Sequence, residues 1–159
     1  MTATSPRKII KTHSIIHFGM LAGPLLAGIF FYLNTEVNAN GSQEDIFIYI
    51  FPLIALVAIF TSKVVYRTFL KPLKQKEHLR DKLAGLQSAS LIQYALIEGP
   101  AFLNIIWFGQ TGNLLYLTIG GVLLIYLFIL RPTKTKIEND LELKGEHKRQ
   151  FNRFDEAIS

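Results

Sequence analysis

Long apolar blocks separated by short polar segments dominate the chain. Four of them stand out, at residues 14–33, 46–66, 84–108 and 114–130. A bilayer core about 30 Å thick requires about 20 apolar residues in a helix, and segments of about 17 residues still suffice. The pattern therefore predicts an all-α membrane protein with four transmembrane helices.

Composition agrees with this interpretation. Half of the residues are apolar and only 18% are charged, whereas about 25% are charged in soluble domains. The first block follows Arg7, Lys8 and Lys11 as a signal peptide would, but its apolar run is too long and no small-residue cleavage site follows, so we expect a retained anchor. The absence of cysteine excludes disulfides, thiolate catalysis and cysteine-ligated metals.

Charge placement predicts the topology. The segment 34–45 carries Glu36, Glu44 and Asp45 without any lysine or arginine, whereas basic residues crowd the N-terminus, the segment 63–82 and the segment 131–136. Lysine and arginine are retained on the cytoplasmic side during insertion. We therefore expect a multi-pass protein of a bacterial-type inner membrane with both termini cytoplasmic. The basic segments would attract anionic lipid headgroups, and no nucleic-acid partner is expected.

The chain matches itself at two offsets. Residues 15–32 align with 91–108 at an offset of 76, which places Gly23-Pro24 on Gly99-Pro100, and residues 64–76 align with 124–136 at an offset of 60. Convergence of apolar helices is the alternative explanation. Duplication predicts two tandem hairpins in the same orientation, as in parallel-repeat membrane folds. The corresponding divisions are a first hairpin at 1–83, a second at 84–132 and a charged cytoplasmic tail at 133–159.

Small residues and prolines in these helices predict helix packing and bending. Gly19 and Gly23 are four residues apart, a spacing that lets another membrane helix approach closely. Pro24 and Pro100 each free a backbone carbonyl and favour a kink, and Gly99 precedes the second of them. We expect Gly19, Gly23, Pro24, Gly99 and Pro100 to shape the contact between the first and third helices.

The third block differs from the others because it carries polar residues. Gln87 and Tyr94 fall within about 40° of Glu98 on a helix, which makes one polar stripe. Glu98 lies near the middle of the block, where a charged carboxylate is costly, so it should face protein or water. This carboxyl and the carbonyl of Leu96 freed by Pro100 are the ligands of a proton or cation site, with Glu98, Tyr94 and Gln87 as candidates. A protonated Glu98 that only fixes helix packing is the alternative.

Residues 86–108 resemble the carboxylate-bearing helix of the c subunits, or proteolipids, of rotary ATPases. In that family a helix entering from a polar cytoplasmic loop carries an Ala-Leu-x-Glu core with small residues nearby, and Ala95-Leu96-Ile97-Glu98 and Ala101 match it. The resemblance covers this helix alone. It implies that Glu98 is an ion-binding carboxylate.

The functional alternatives from the sequence are three. The first is a small protein that handles protons or cations through Glu98, the second is a non-transporting accessory or assembly subunit, and the third is a carrier of a small ligand. We expect no enzyme activity and no cofactor, because no catalytic motif is present. His13 and His17 share a helix face but lack a third ligand nearby, so hydrogen bonding is favoured over a metal site. Besides the lipid bilayer, the expected partner is a second copy or a larger membrane complex.

Overall fold

The computed structural model describes residues 5–38, 46–153 and 155–156, and these residues form six α-helices and no strand. The predicted all-α class is confirmed. In chain order the helices are α1 (Pro6–Asn34), α2 (Phe47–Leu73), α3 (Leu79–Thr111), α4 (Leu114–Ile129), α5 (Lys134–Asp140) and α6 (Gly145–Asn152).

Three of these helices are long and apolar enough to cross a bilayer, namely α1, α2 and α3. The shorter α4 has 16 residues, and the chain bends by 81° between α4 and α5. The described residues thus hold three candidate membrane spans, or four if α4 and α5 are taken together as one broken span. The membrane class predicted from the apolar blocks fits this finding.

The helices extend beyond the predicted blocks at their basic ends. α1 begins at Pro6 rather than at residue 14, α2 continues to Leu73 rather than ending at residue 66, and α3 begins at Leu79 rather than at residue 84. The start of α1 follows from its cap, because the Ser5 hydroxyl accepts a hydrogen bond from the Lys8 amide and Pro6 occupies the first turn. The apolar blocks therefore indicate only the apolar part of each helix and not its full length.

The turn between α3 and α4 is set by two residues. Gly112 ends α3 with a φ of 67°, a left-handed conformation that glycine adopts without steric cost. Asn113 then caps α4, since its side-chain oxygen accepts a hydrogen bond of 3.0 Å from the Leu115 amide. The Asn38 amide also donates to the Gly112 carbonyl at 2.9 Å, which ties the segment after α1 to this turn.

α3 is the central helix, and it packs against α1, α2 and α4. Its contact with α4 is especially close at Gly120. A Cβ atom at Gly120 would lie 2.9 Å from Ile105 Cγ1 and 3.3 Å from the Ala101 carbonyl oxygen. The absence of a side chain therefore sets the distance between these two helices.

α1 runs parallel to α3 along one flank of the bundle. Gly23 faces Phe102, Gly28 faces Ile105, and Phe31 covers Gly109, so successive turns of the two helices stay level. The two Gly-Pro steps have different surroundings. Pro24 is buried and Pro100 is half-buried. α1 and α3 do pack together, with Gly23 against Phe102. Gly19 and Gly99 do not shape this contact as expected, because a Cβ atom at either would meet nothing within 4 Å, and Pro100 lines a groove between α3 and α2. The internal repeat stays a prediction.

One end of the bundle gathers the basic regions of the chain. We call it the basic end, formed by the start of α1, the turn between α2 and α3, and helices α5 and α6. Arg7 pairs with Asp155 at 3.2 Å and Lys74 pairs with Glu142. A buried apolar cluster underlies these ties, and it includes Leu79, Leu83, Ile137, Leu141, Leu143 and Phe151. The segment expected to be a cytoplasmic tail therefore packs, over its described residues, against the ends of α2 and α3.

The opposite end carries an aromatic cluster instead. Trp107 contacts Phe47 and Phe51 edge-on, with ring centroids 4.7 Å and 5.5 Å apart, and Phe51 also contacts Tyr116. Aromatic side chains of this kind concentrate at membrane–water interfaces. Glu44 and Asp45, on which part of the charge argument rests, lie outside the described residues.

Candidate functional site

Glu98 lies on the side of α3 that faces α1. Tyr94 and Phe102, one turn before and one turn after it, both contact α1: the Tyr94 ring lies 4.7 Å from the His17 ring, and Phe102 Cζ packs over Gly23. Residues four apart share a helix face, so Glu98 points to the same side. Its side chain is half-buried.

The surroundings of Glu98 are open. Because Gly23 is level with Phe102, Gly19 is level with Glu98, and a Cβ atom at Gly19 or at Gly99 would meet nothing within 4 Å. Among the residues that the structure describes, none forms a hydrogen bond or an ion pair with the Glu98 carboxyl. We call Gly19, Glu98 and Gly99 the Glu98 edge.

Among the grooves lined by described residues, three are apolar and run along the helices, and Glu98 lines none of these three. Two lie between α1 and α4, where Leu25 and Gly121 contribute to both. The third lies between α2 and α3 and includes Leu53 and Pro100.

Tyr94, the second predicted site residue, is fully buried and its hydroxyl contacts groups other than Glu98. Tyr94 Oη lies 3.4 Å from His13 Nε2 and donates a hydrogen bond of 3.2 Å to the Leu130 carbonyl. Gln87 is half-buried and lies about 16 Å along the helix from Glu98, at 1.5 Å per residue. The structure therefore does not bring Gln87, Tyr94 and Glu98 together around one ion.

Several buried or half-buried polar groups instead surround the C-terminus of α4. His17 Nε2 lies 2.9 Å from the Leu127 carbonyl, and the Leu130 carbonyl accepts from both Tyr94 Oη and Lys136 Nζ at 3.2 Å. The last carbonyls of an α-helix lack their regular intrahelical partners and carry a partial negative charge, although the Leu127 carbonyl also accepts from the Leu130 amide at 3.0 Å. We call His17, Tyr94 and Lys136 with these two carbonyls the capping network.

Lys136 links the capping network to α2 and α5. Its Nζ lies 4.0 Å from the Asp140 carboxylate and 5.2 Å from the centroid of the Tyr66 ring, while Tyr66 Oη donates to Asp140 Oδ2 at 2.6 Å. Burial lowers the pKa of the Lys136 amine, and the nearby Asp140 carboxylate partly opposes this shift. The network thus holds α1, α2, α3 and α5 around one helix end.

The histidine pair takes part in this network through hydrogen bonds. His13 and His17 are both buried, and the described residues contain no group of three or more His, Cys, Asp or Glu side chains that could hold a metal ion. With Nε2 of His17 on the Leu127 carbonyl, Nδ1 is buried and has no hydrogen-bond partner among the described residues. Hydrogen bonding, the interpretation favoured from the sequence, is what the geometry supports.

Sequence reasoning missed Lys136 as a member of the network, and it missed Asp140 and Tyr66 as the residues that contact Lys136. Lys136 and Asp140 are spaced four apart in a segment expected to be a surface tail, and this spacing was the available signal. Tyr66 closes the second predicted block without any local sign of a partner.

Comparison with known proteins yields no match to this chain, whether with protein-family models, with curated proteins or with solved structures.

Proposed function

We propose that this chain is a multi-pass membrane protein with both termini in the cytoplasm, and that it serves as a non-transporting subunit of a membrane assembly. Convergence of the basic regions at one end supports the orientation, because basic segments stay cytoplasmic. The aromatic cluster at the other end is consistent with a second membrane interface.

The assembly role rests on one observation: Glu98 is half-buried and its carboxyl has no hydrogen-bond partner in the described part of the chain. A Cβ atom at Gly99, or at Gly19 on the neighbouring helix, would meet nothing within 4 Å. A polar group at mid-membrane depth without a partner is costly. Open space above two glycines allows a neighbouring helix to approach and supply that partner. The Glu98 edge is therefore the contact surface in this proposal.

Cross-linking in native membranes tests the proposal. The chain has no cysteine, so Gly99→Cys can carry a single photo-crosslinking group, and Ile125→Cys, on the exposed face of α4, serves as the matched control. We expect adducts of defined mass from position 99 and not from position 125. A second substitution, Glu98→Leu, should abolish the adducts. The same adducts from both positions, or none from position 99, would refute the assembly role.

Handling of protons is the second candidate, and a specific observation favours it. Glu98 lies one helical turn from Tyr94 on α3, the Tyr94 ring contacts the His17 ring, and Tyr94 and Lys136 both donate to the Leu130 carbonyl at the basic end. The Tyr94 hydroxyl also lies near His13. The resemblance of residues 86–108 to proteolipid helices also supports it. The test is proton flux in liposomes containing the wild type or Glu98→Gln: reduced flux in the variant supports this candidate, and equal flux removes it.

A further inference from the structure

A polar groove lies at the basic end, apart from both Glu98 and the capping network's carbonyls. It has a volume of about 320 Å³ and lies between the last turns of α2 and helix α5. Its lining consists of Arg67, Leu70, Lys71, Lys74, Asn139 and Asp140. Unlike the three apolar grooves along the helices, it combines charged side chains with an amide.

The charge in this groove is predominantly positive. Arg67, Lys71 and Lys74 are spaced four and three apart, so they project from one face of α2. Lys74 is paired with Glu142, and Asp140 accepts from Tyr66 and lies near Lys136. Arg67 and Lys71 are exposed, and within the described residues neither forms an ion pair. Two cations therefore remain available to an anion in the groove.

The face of α2 that leads to the groove is apolar and exposed. Phe60 is 70% exposed and precedes Arg67 by two turns, and Val64 is 47% exposed and precedes Lys71 by two turns. Leu53 and Leu56 continue this exposed surface towards the other end of the helix. Residues seven apart on an α-helix lie nearly in line, so an extended hydrocarbon chain along this surface would end at the two cations.

We propose that this groove binds the phosphate of an anionic phospholipid whose acyl chain lies along the exposed face of α2. Arg67 and Lys71 supply the charge, since guanidinium and ammonium groups are the usual protein partners of phosphate. The Asn139 amide supplies a neutral hydrogen-bond donor. Free inorganic phosphate shares this headgroup chemistry, but the aligned apolar surface is specific to a lipid. The proposal rests on the membrane placement proposed above and is independent of Glu98.

Native mass spectrometry of the full-length chain in detergent tests this site, with phosphatidylglycerol or phosphatidylcholine added. The variant R67Q/K71Q removes the two groove cations. The matched control, K76Q/R80Q, removes two exposed charges of the same end outside the groove. We expect phosphatidylglycerol adducts to exceed phosphatidylcholine adducts in the wild type, to weaken roughly tenfold in R67Q/K71Q and to stay near wild type in the control.

Three results would overturn the proposal. Equal weakening of lipid binding in both double variants would mean that the lipid is attracted to positive charge in general. Equal binding of the two lipids would mean that the groove cations do not distinguish an anionic headgroup from a neutral one. Displacement of the lipid by millimolar inorganic phosphate would assign the groove to free phosphate. Circular dichroism of each variant confirms that the helices persist, and a requirement for detergent during extraction checks the membrane placement separately. If position 99 gave no cross-link, the assembly role would be refuted, but the lipid-binding measurement would not be affected.

Discussion

Tyr94 and Glu98 are one helical turn apart on α3, yet they lie in opposite situations. Tyr94 is fully buried and donates to the Leu130 carbonyl, whereas Glu98 is half-buried beside open space without a partner in the described part of the chain. In the capping network, groups of the same chain donate to the carbonyls at the end of α4. The Glu98 edge leaves a polar group for something outside the chain. Polarity in a membrane segment therefore predicts a need for a partner without telling which molecule provides it.

Glycine substitutions should separate the packed interior from the edge with the largest effect. Gly120→Ala forces a Cβ atom against Ile105 and the Ala101 carbonyl, so we expect a loss of about 1–3 kcal/mol in the free energy of unfolding. Gly99→Ala meets open space and should be neutral or stabilising by up to about 1 kcal/mol, because alanine is the better helix former. Reversible unfolding in mixed micelles measures both.

Gly121→Ala is the control on the same helix, since its Cβ atom would also meet nothing within 4 Å. It should behave like Gly99→Ala. A loss at Gly121 as large as that at Gly120 would contradict the close α3–α4 contact.

A double-mutant cycle tests whether Tyr94 and Lys136 act on one carbonyl. Tyr94→Phe or Lys136→Met alone leaves one donor on Leu130, so each should cost about 0.5–1.5 kcal/mol. The double variant leaves the carbonyl without either donor and should cost more than the sum of the two single changes. Unfolding in mixed micelles gives the coupling free energy, and strict additivity would mean that the two side chains do not share this role.

Glu98→Gln should change the stability of the isolated chain very little. Because the carboxyl has no partner in the described residues, we expect the free energy of unfolding to stay within about 0.5 kcal/mol of the wild type. The same unfolding measurement is made on Tyr94→Phe for comparison. A loss at Glu98 that equals or exceeds the loss at Tyr94 would show that Glu98 has an internal partner and would erase the contrast between the two sites.

The smallest effect is expected for the ion pair between Lys74 and Glu142. Glu142 is exposed, as the Glu98 edge is, but like Tyr94 it has a partner within the chain. The hydrogen bond and charge of Lys74 lower the pKa of the Glu142 carboxyl. A carboxyl with a lowered folded pKa contributes stability at pH values above its ordinary pKa, and this contribution is lost as the pH falls through the lowered value.

Carbon-13 NMR titration of Glu142 measures this shift directly. In Lys74→Gln the midpoint should rise towards the ordinary carboxyl range, whereas Lys71→Gln should leave it in place, because Lys71 is not among the causes of the shift. An unchanged titration midpoint in Lys74→Gln would show that the ion pair between Lys74 and Glu142 does not persist in solution.

The long helices could be predicted from the sequence because the relevant signal is local. Apolar blocks of membrane length correspond to α1 to α4, and the charge pattern anticipated that the basic regions would gather at one end. Helix ends were predicted less well, since Pro6 and Leu73 lie in polar segments where backbone hydrogen bonding continues after the apolar residues stop. The bounds of a helix depend on its caps as well as on hydropathy.

The capping network could not be predicted, because its members are distant in sequence. His17 and Leu127 are 110 residues apart, and Tyr94 and Leu130 are 36 apart. No local pattern reveals that the end of α4 lies beside α1 and α3. The stripe containing Gln87, Tyr94 and Glu98 was a valid observation about one helix face, but what each residue contacts depends on the neighbouring helices.

The shortness of α4 has a consequence for the surrounding lipid. Its 16 residues span about 24 Å, less than a typical hydrocarbon thickness of about 30 Å. In the membrane placement proposed above, a bilayer matched to α4 alone would have to become thinner beside it, which would draw water and headgroups towards Arg131 and the bend that follows. The protein would then favour thin membranes and regions already deformed by other proteins.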